Sequence, residues 1–135
     1  MIIIGHRFIP SFLSQHGNFY HIPNIDAIKN TPPNSCIFIE FSEDNLDIIE
    51  HLQKNSISFC LKVEDVTQII YAANLGASFI LVDKDLAKTA QDLANNYLFD
   101  AKILVSIDDE ENIEELALQG IDGVLFSNAI IKINS

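Results

Sequence analysis

The chain has 135 residues, 48% of them hydrophobic and 20% charged, with two cysteines and no tryptophan. That length lets one domain bury a sizeable core without disulfides or metals, and the composition excludes a disordered chain. Nineteen acidic against eight basic residues give a formal net charge of -11, a field that repels phosphate backbones and anionic membranes, so no nucleic acid and no membrane is expected as a partner.

Residues 1–35 are irregular. The opening MIIIGHRFIP has three isoleucines before Gly5 and His6, far short of a signal-peptide core or a membrane span, and a cytoplasmic location is the expectation. IIIG reads as a strand, NFYHI (18–22) as a candidate second strand and NTPPNS (30–35) as a loop.

From residue 36 to the end the pattern becomes regular. CIFIEF (36–41) reads as a strand, and Ser42 is placed to cap a helix through about Lys54 with Leu46, Ile49 and Leu52 inward. ISFCLK (57–62) follows, then a helix over 65–75 with Val66, Ile69, Ile70 and Ala73 on one face, closed by Gly76. SFILV (78–82) leads into a helix carrying Leu86, Ala90, Leu93 and Tyr97 on its apolar face. KILVSI (102–107) precedes the acid-rich turn Asp108 to Glu111, which suits a helix N-terminus; Ile113, Leu116 and Ala117 form that helix's apolar face and Gly120 ends it. GVLFS (123–127) is a last strand, with AIIKI continuing as a turn or helix.

Strands that are apolar at nearly every position, separated by amphipathic helices, require a parallel sheet with both faces covered. The expectation is a single α/β domain over 1–135 with a mostly parallel sheet of five to seven strands, half-barrel-like or built of flavodoxin-like βα repeats. Cys36 and Cys60 lie inside apolar runs, match neither a CxxC nor a zinc spacing, and are expected in the core. No metal or cofactor is expected.

Two stretches, VEDVTQIIYAANLGASFILVD and VSIDDEENIEELALQGIDGVLFSNA, carry a resemblance over residues 60–129 to the sugar-phosphate (β/α)-barrel enzymes, closest to the 2-keto-3-deoxy-6-phosphogluconate aldolase family. The resemblance implies a shortened, degenerate barrel, since a complete one needs about 250 residues. It also implies a Schiff-base lysine on the strand that GVLFS matches, where this chain has Val124, and a Gly-Gly phosphate cradle where it has Ile107 and Asp108. LKVED further resembles the Asp-x-Lys-x-x-Asp motif of the orotidine-monophosphate decarboxylase superfamily, with Lys62 and Asp65 in place but Cys60 at the first aspartate.

In parallel α/β folds ligands meet the carboxyl ends of the strands. The residues expected there are Glu40, Lys62 and Asp83, an acid-base-acid row that would carry any catalysis, and Ser106, Asp108, Ser127 and Asn128 as ligand contacts. Against this stands a plainer expectation, in which Ser42, Asp65, Asp83 and Asp108 are helix caps and Lys62 pairs with Glu40. Glu40, Asp83 and Asp108 are of the ligand type that a divalent metal takes, but no local spacing motif supports such a set. His6, after the first strand, stands where a general base would; His16, His21 and His51 are scattered. The SNA turn offers backbone amides to a small anion if a helix starts there.

The expected function is that of a non-catalytic, degenerate barrel-like domain acting through self-association as a homodimer or through binding a small anionic metabolite. The alternative is a carbon-carbon lyase, of aldolase or decarboxylase type, acting on a small phosphorylated or carboxylated sugar with Lys62 as its amine.

Overall fold

A computed structural model describes residues 1–10 and 18–134, so His16 lies outside the described residues. The strands are β1 (Ile2–Ile4), β2 (Phe19–His21), β3 (Cys36–Glu40), β4 (Phe59–Lys62), β5 (Phe79–Val82), β6 (Lys102–Ile107), β7 (Gly123–Phe126) and β8 (Ile130–Lys132). The helices are α1 (Leu46–Lys54), α2 (Val66–Asn74), α3 (Ala87–Asn96) and α4 (Asn112–Leu118). All strands join one eight-stranded parallel sheet in the order β1-β7-β6-β5-β4-β3-β2-β8.

The α/β class and the run of βα units from β3 to β7 are as the periodicity predicts. The strand number exceeds the expected five to seven by one, because the tail 130–132 is a strand rather than a turn or helix, while residues 1–35 supply β1 and β2 where IIIG and NFYHI stand. These three strands have three residues each, too few to print a period on the sequence.

The sheet is strongly curled. β7 and β8 stand six strand steps apart in the order, about 29 Å if the sheet were flat. Yet only Ser127–Ala129 separates them, and the chain from Phe126 to Ile130 reaches at most about 15 Å. The sheet therefore rolls until its two margins come within one turn of each other. A second observation agrees: the rings of Phe19 on β2 and Phe79 on β5, three strands apart, meet with centroids 5.3 Å apart.

Curling divides the buried side chains into two layers. Ile4, Phe19, Phe38, Cys60, Leu81 and Leu104 belong to the layer that fills the concave side. The alternate residues, such as Ile37, Leu61, Ile80, Val105 and Val124, pack outward beneath the helices with Ile49, Leu52, Ile69, Ala90 and Leu116. Both faces of each central strand are thus buried, which is why those strands read as unbroken apolar runs.

Each βα unit ends alike. Ser56, Gly76, Leu98 and Gly120 have left-handed φ values of 53°, 86°, 54° and 78° after α1 to α4. The next residue in each case, Ile57, Ala77, Phe99 and Ile121, donates its N–H back to Leu52, Ala72, Ala94 and Leu116. This is the Schellman closure that satisfies the last helical carbonyls.

Four residues expected on inner faces are exposed instead: Leu46 by 46%, Val66 by 43%, Tyr97 by 70%, and Ala117 near the end of α4, where Leu116 is the buried residue. A 3-10 turn over Glu43–Asn45 precedes α1 and shifts its phase, so that Ile48 rather than Leu46 is buried. Val66 opens α2, and Tyr97 caps α3 beyond its last helical residue.

Candidate functional site

In a pleated strand, residues two apart share a face. The positions two beyond the concave apolar residues Phe19, Phe38, Cys60, Leu81, Leu104 and Leu125 are His21, Glu40, Lys62, Asp83, Ser106 and Ser127. A polar set therefore rims the carboxyl mouth of the curled sheet, directly above a filled apolar interior. The T-shaped contact between the His21 and Phe38 rings, at 5.2 Å, puts His21 in this set, a place that sequence reasoning missed. The available signal was its spacing from Phe19, on a strand too short to be read with assurance of phase.

Within the rim, Lys62 is the most enclosed charge, its side chain 18% exposed. Its Nζ lies 3.1 Å from Asp83 Oδ1 and 3.8 Å from Glu64 Oε1. The ammonium nitrogen is itself buried, and the approach to Asp83 is an ion-pair contact without a directed hydrogen bond. Glu40 is the register partner of Lys62 across β3 and β4, but the ion pairs of Lys62 run to Asp83 and Glu64. The Lys62–Glu40 pairing expected from sequence is thus replaced by Lys62–Asp83. The Glu40 backbone carbonyl accepts a hydrogen bond from Asn45 Nδ2 at 2.7 Å.

The capping expectation divides. Ser42 Oγ accepts from the Asp44 N–H at 3.2 Å, and Asp65 Oδ1 accepts from the Gln68 N–H at 2.9 Å. Asp83 makes no capping bond because its carboxylate turns to Lys62. Asp108 is no cap either: it accepts a hydrogen bond from the Ser127 hydroxyl, while Asp109 bonds the Glu111 N–H at 2.9 Å.

That Ser127–Asp108 bond removes the anion site expected at the SNA turn. Ser127–Ala129 is one 3-10 turn rather than the start of a helix, and a carboxylate already occupies its hydroxyl. Asn128 leaves the rim altogether, its Nδ2 donating to the Gly5 carbonyl at 3.1 Å and tying the turn to the end of β1.

His6 is also turned away from the mouth. Gly5, at φ 96°, redirects the chain so that the imidazole packs near Phe126, centroids 5.3 Å apart. Its Nδ1 accepts from the Phe8 N–H at 3.1 Å, which assigns the proton to Nε2, 2.5 Å from Glu110 Oε2. An imidazole fixed at both nitrogens is a structural strut rather than a general base. Beside it an open cleft of about 580 Å3 is lined by Gly5, His6, Arg7, Asp108, Glu110 and Phe126.

Cys36 and Cys60 are free and buried in the concave layer, and burial raises both thiols well above their usual range. Val124 is fully buried in the outward layer beneath the helices. A lysine in that place would point away from the mouth. Among the described residues no three His, Cys, Asp or Glu side chains come close enough to hold a metal, so Glu40, Asp83 and Asp108 do not converge. Among the same residues no helix is long and apolar enough to cross a membrane.

Neither a protein-family profile nor a curated protein sequence matches the chain.

Proposed function

We propose that the chain is a non-catalytic, barrel-like binding domain that holds a small carboxylate-bearing metabolite at the mouth of its curled sheet. The observation that supports this reading is the enclosed Lys62 ammonium, which has N–H donors left over after its contact with Asp83. A buried donor without an acceptor costs about 1–3 kcal/mol, and a ligand oxygen would recover it. Asp83 and Glu64 at the ammonium, with Glu40 in register beside Lys62, favour a singly charged or hydroxylated ligand over a phosphate dianion.

The same lysine favours a second reading, a lyase in which Lys62 Nζ condenses with a ketone. The amine adds to the carbonyl carbon, water leaves, and the resulting iminium accepts the electron pair of a breaking carbon-carbon bond.

Titrating the labelled protein with pyruvate, glycerate and glycerol phosphate, read by amide chemical shifts, separates these readings. Binding predicts saturable shifts around Lys62, Asp83 and Ser106 with either carboxylate. In Lys62→Met they weaken by about 10- to 100-fold, the worth of one hydrogen bond to a charged group. No saturation by millimolar carboxylate overturns the proposal. Borohydride reduction in the presence of pyruvate that leaves a mass adduct on Lys62 establishes the amine chemistry and overturns the non-catalytic reading.

A further inference from the structure

On the rim of the mouth one ammonium stands among three carboxylates. Lys62 Nζ lies 3.1 Å from Asp83 Oδ1 and 3.8 Å from Glu64 Oε1, and Glu40 is its register partner on β3. The ion pairs of Lys62 run to the first two, so among the described residues the Glu40 carboxylate has no cation of its own. The rim therefore offers a buried donor on β4 and, one strand spacing of about 4.8 Å away, an open acceptor on β3.

A ligand carboxylate that takes the hydrogens Asp83 leaves free also brings a negative charge close to Asp83 and Glu40, which repel it. The Lys62 side chain is only 18% exposed, so salt and water screen that repulsion incompletely. A positive charge on the ligand itself, next to its carboxylate, turns the Glu40 contact from a repulsion into a charge-assisted hydrogen bond. A hydroxyl in the same place donates one neutral hydrogen bond. A ketone oxygen, which only accepts, opposes the lone pairs of Glu40.

Resting on the reading of Lys62 as a carboxylate seat, we infer that the ligand at the mouth is a small α-amino acid, its carboxylate on Lys62 and its ammonium on Glu40. The two charges of an α-amino acid sit on adjacent carbons, a separation short enough to be held between neighbouring strands. They match in sign and order a pair of residues that the β3–β4 ladder keeps in register. Glu40 then sets specificity, while Lys62 sets the affinity for carboxylates in general.

Pyruvate, lactate and alanine share a three-carbon frame and a carboxylate, and differ at the second carbon, which carries a ketone, a hydroxyl or an ammonium. Each is titrated into the labelled full chain, with ethylamine as a cation that lacks a carboxylate, and the amide shifts of β3 and β4 are read. Alanine is expected to bind about tenfold or more tightly than lactate, and lactate at least as tightly as pyruvate. Glu40→Gln, a change of equal length at an exposed position, should abolish the preference for alanine without weakening lactate or pyruvate. Lys62→Met should weaken all three. Alanine that binds no more tightly than lactate, or a preference that survives Glu40→Gln, overturns the inference and leaves the carboxylate seat standing. Ethylamine that binds as tightly as alanine overturns it too, since the rim would then be a site for cations alone. Saturation by none of the three acids removes the carboxylate seat and the inference together.

Discussion

Cys36 and Cys60 give the concave layer a chemical signature. Burial holds both thiols neutral; for Cys60 the neighbouring Cys36 adds to the rise and Lys62 opposes it. In the unfolded chain a thiol ionises near its ordinary value of about 8.5. Below that pH both states carry the proton and the stabilisation is fully present. Above it the unfolded state alone loses protons, so stability falls by up to about 1.4 kcal/mol per pH unit for each thiol. Urea midpoints followed from neutral pH to about 10 should therefore decline more steeply for the wild type than for a Cys36→Ala/Cys60→Ala variant. Equal slopes would show that the thiols ionise in the folded protein. The lysine two residues beyond Cys60 was legible in sequence as a rim residue. Its pairing was not, because β3, β4 and β5 hold Lys62 between two carboxylates, and the choice of Asp83 over Glu40 depends on how far each strand runs before its turn.

At the level of elements, local chemistry was readable wherever it is self-contained. Asp65 caps α2 as its position before an apolar run implies, and KILVSI is β6 to the residue. Asp108 departs from the cap expectation because its partner, Ser127, lies 19 residues away in the turn after β7. The two kinds of interaction separate on mutation. Asp65→Ala removes one capping bond from an exposed helix end and should cost about 1 kcal/mol in urea denaturation. Gly5→Ala should cost more, about 2 kcal/mol or above: the backbone is at φ 96°, and a Cβ would stand 2.8 Å from that of Ala129, between the end of β1 and the turn joining β7 to β8. Equal losses would mean that the turn yields freely at this point.

For the molecule as a whole, the order of the middle strands was legible in the sequence and the pairings of the marginal ones were not. β3 to β7 are neighbours in chain and in space, each linked to the next through one helix, so their periodicity carries their topology. β1 pairs with β7 and β2 with β8 across almost the full chain, and no local pattern encodes such pairings. Curling was hidden for the same reason, since it follows from those closing contacts. Pairings of this kind bring large loop-closure entropy and form late. Ile4, buried in β1, is the probe: Ile4→Ala should cost about 2–5 kcal/mol, expressed mainly as faster unfolding with little change in the folding rate. A folding rate that falls by the full amount would place β1 in the folding nucleus.

The position of β1 and β8 at the two margins of an all-parallel sheet has a mechanical consequence. β1 starts the described chain and β8 lies near its end, each running parallel to the inner strand it pairs with. Tension applied between residues 1 and 134 would drag β1 backward along β7 and β8 forward along β2. It would load the bonds of each ladder together in shear instead of peeling them one at a time, so the two marginal ladders act as clasps against stretching.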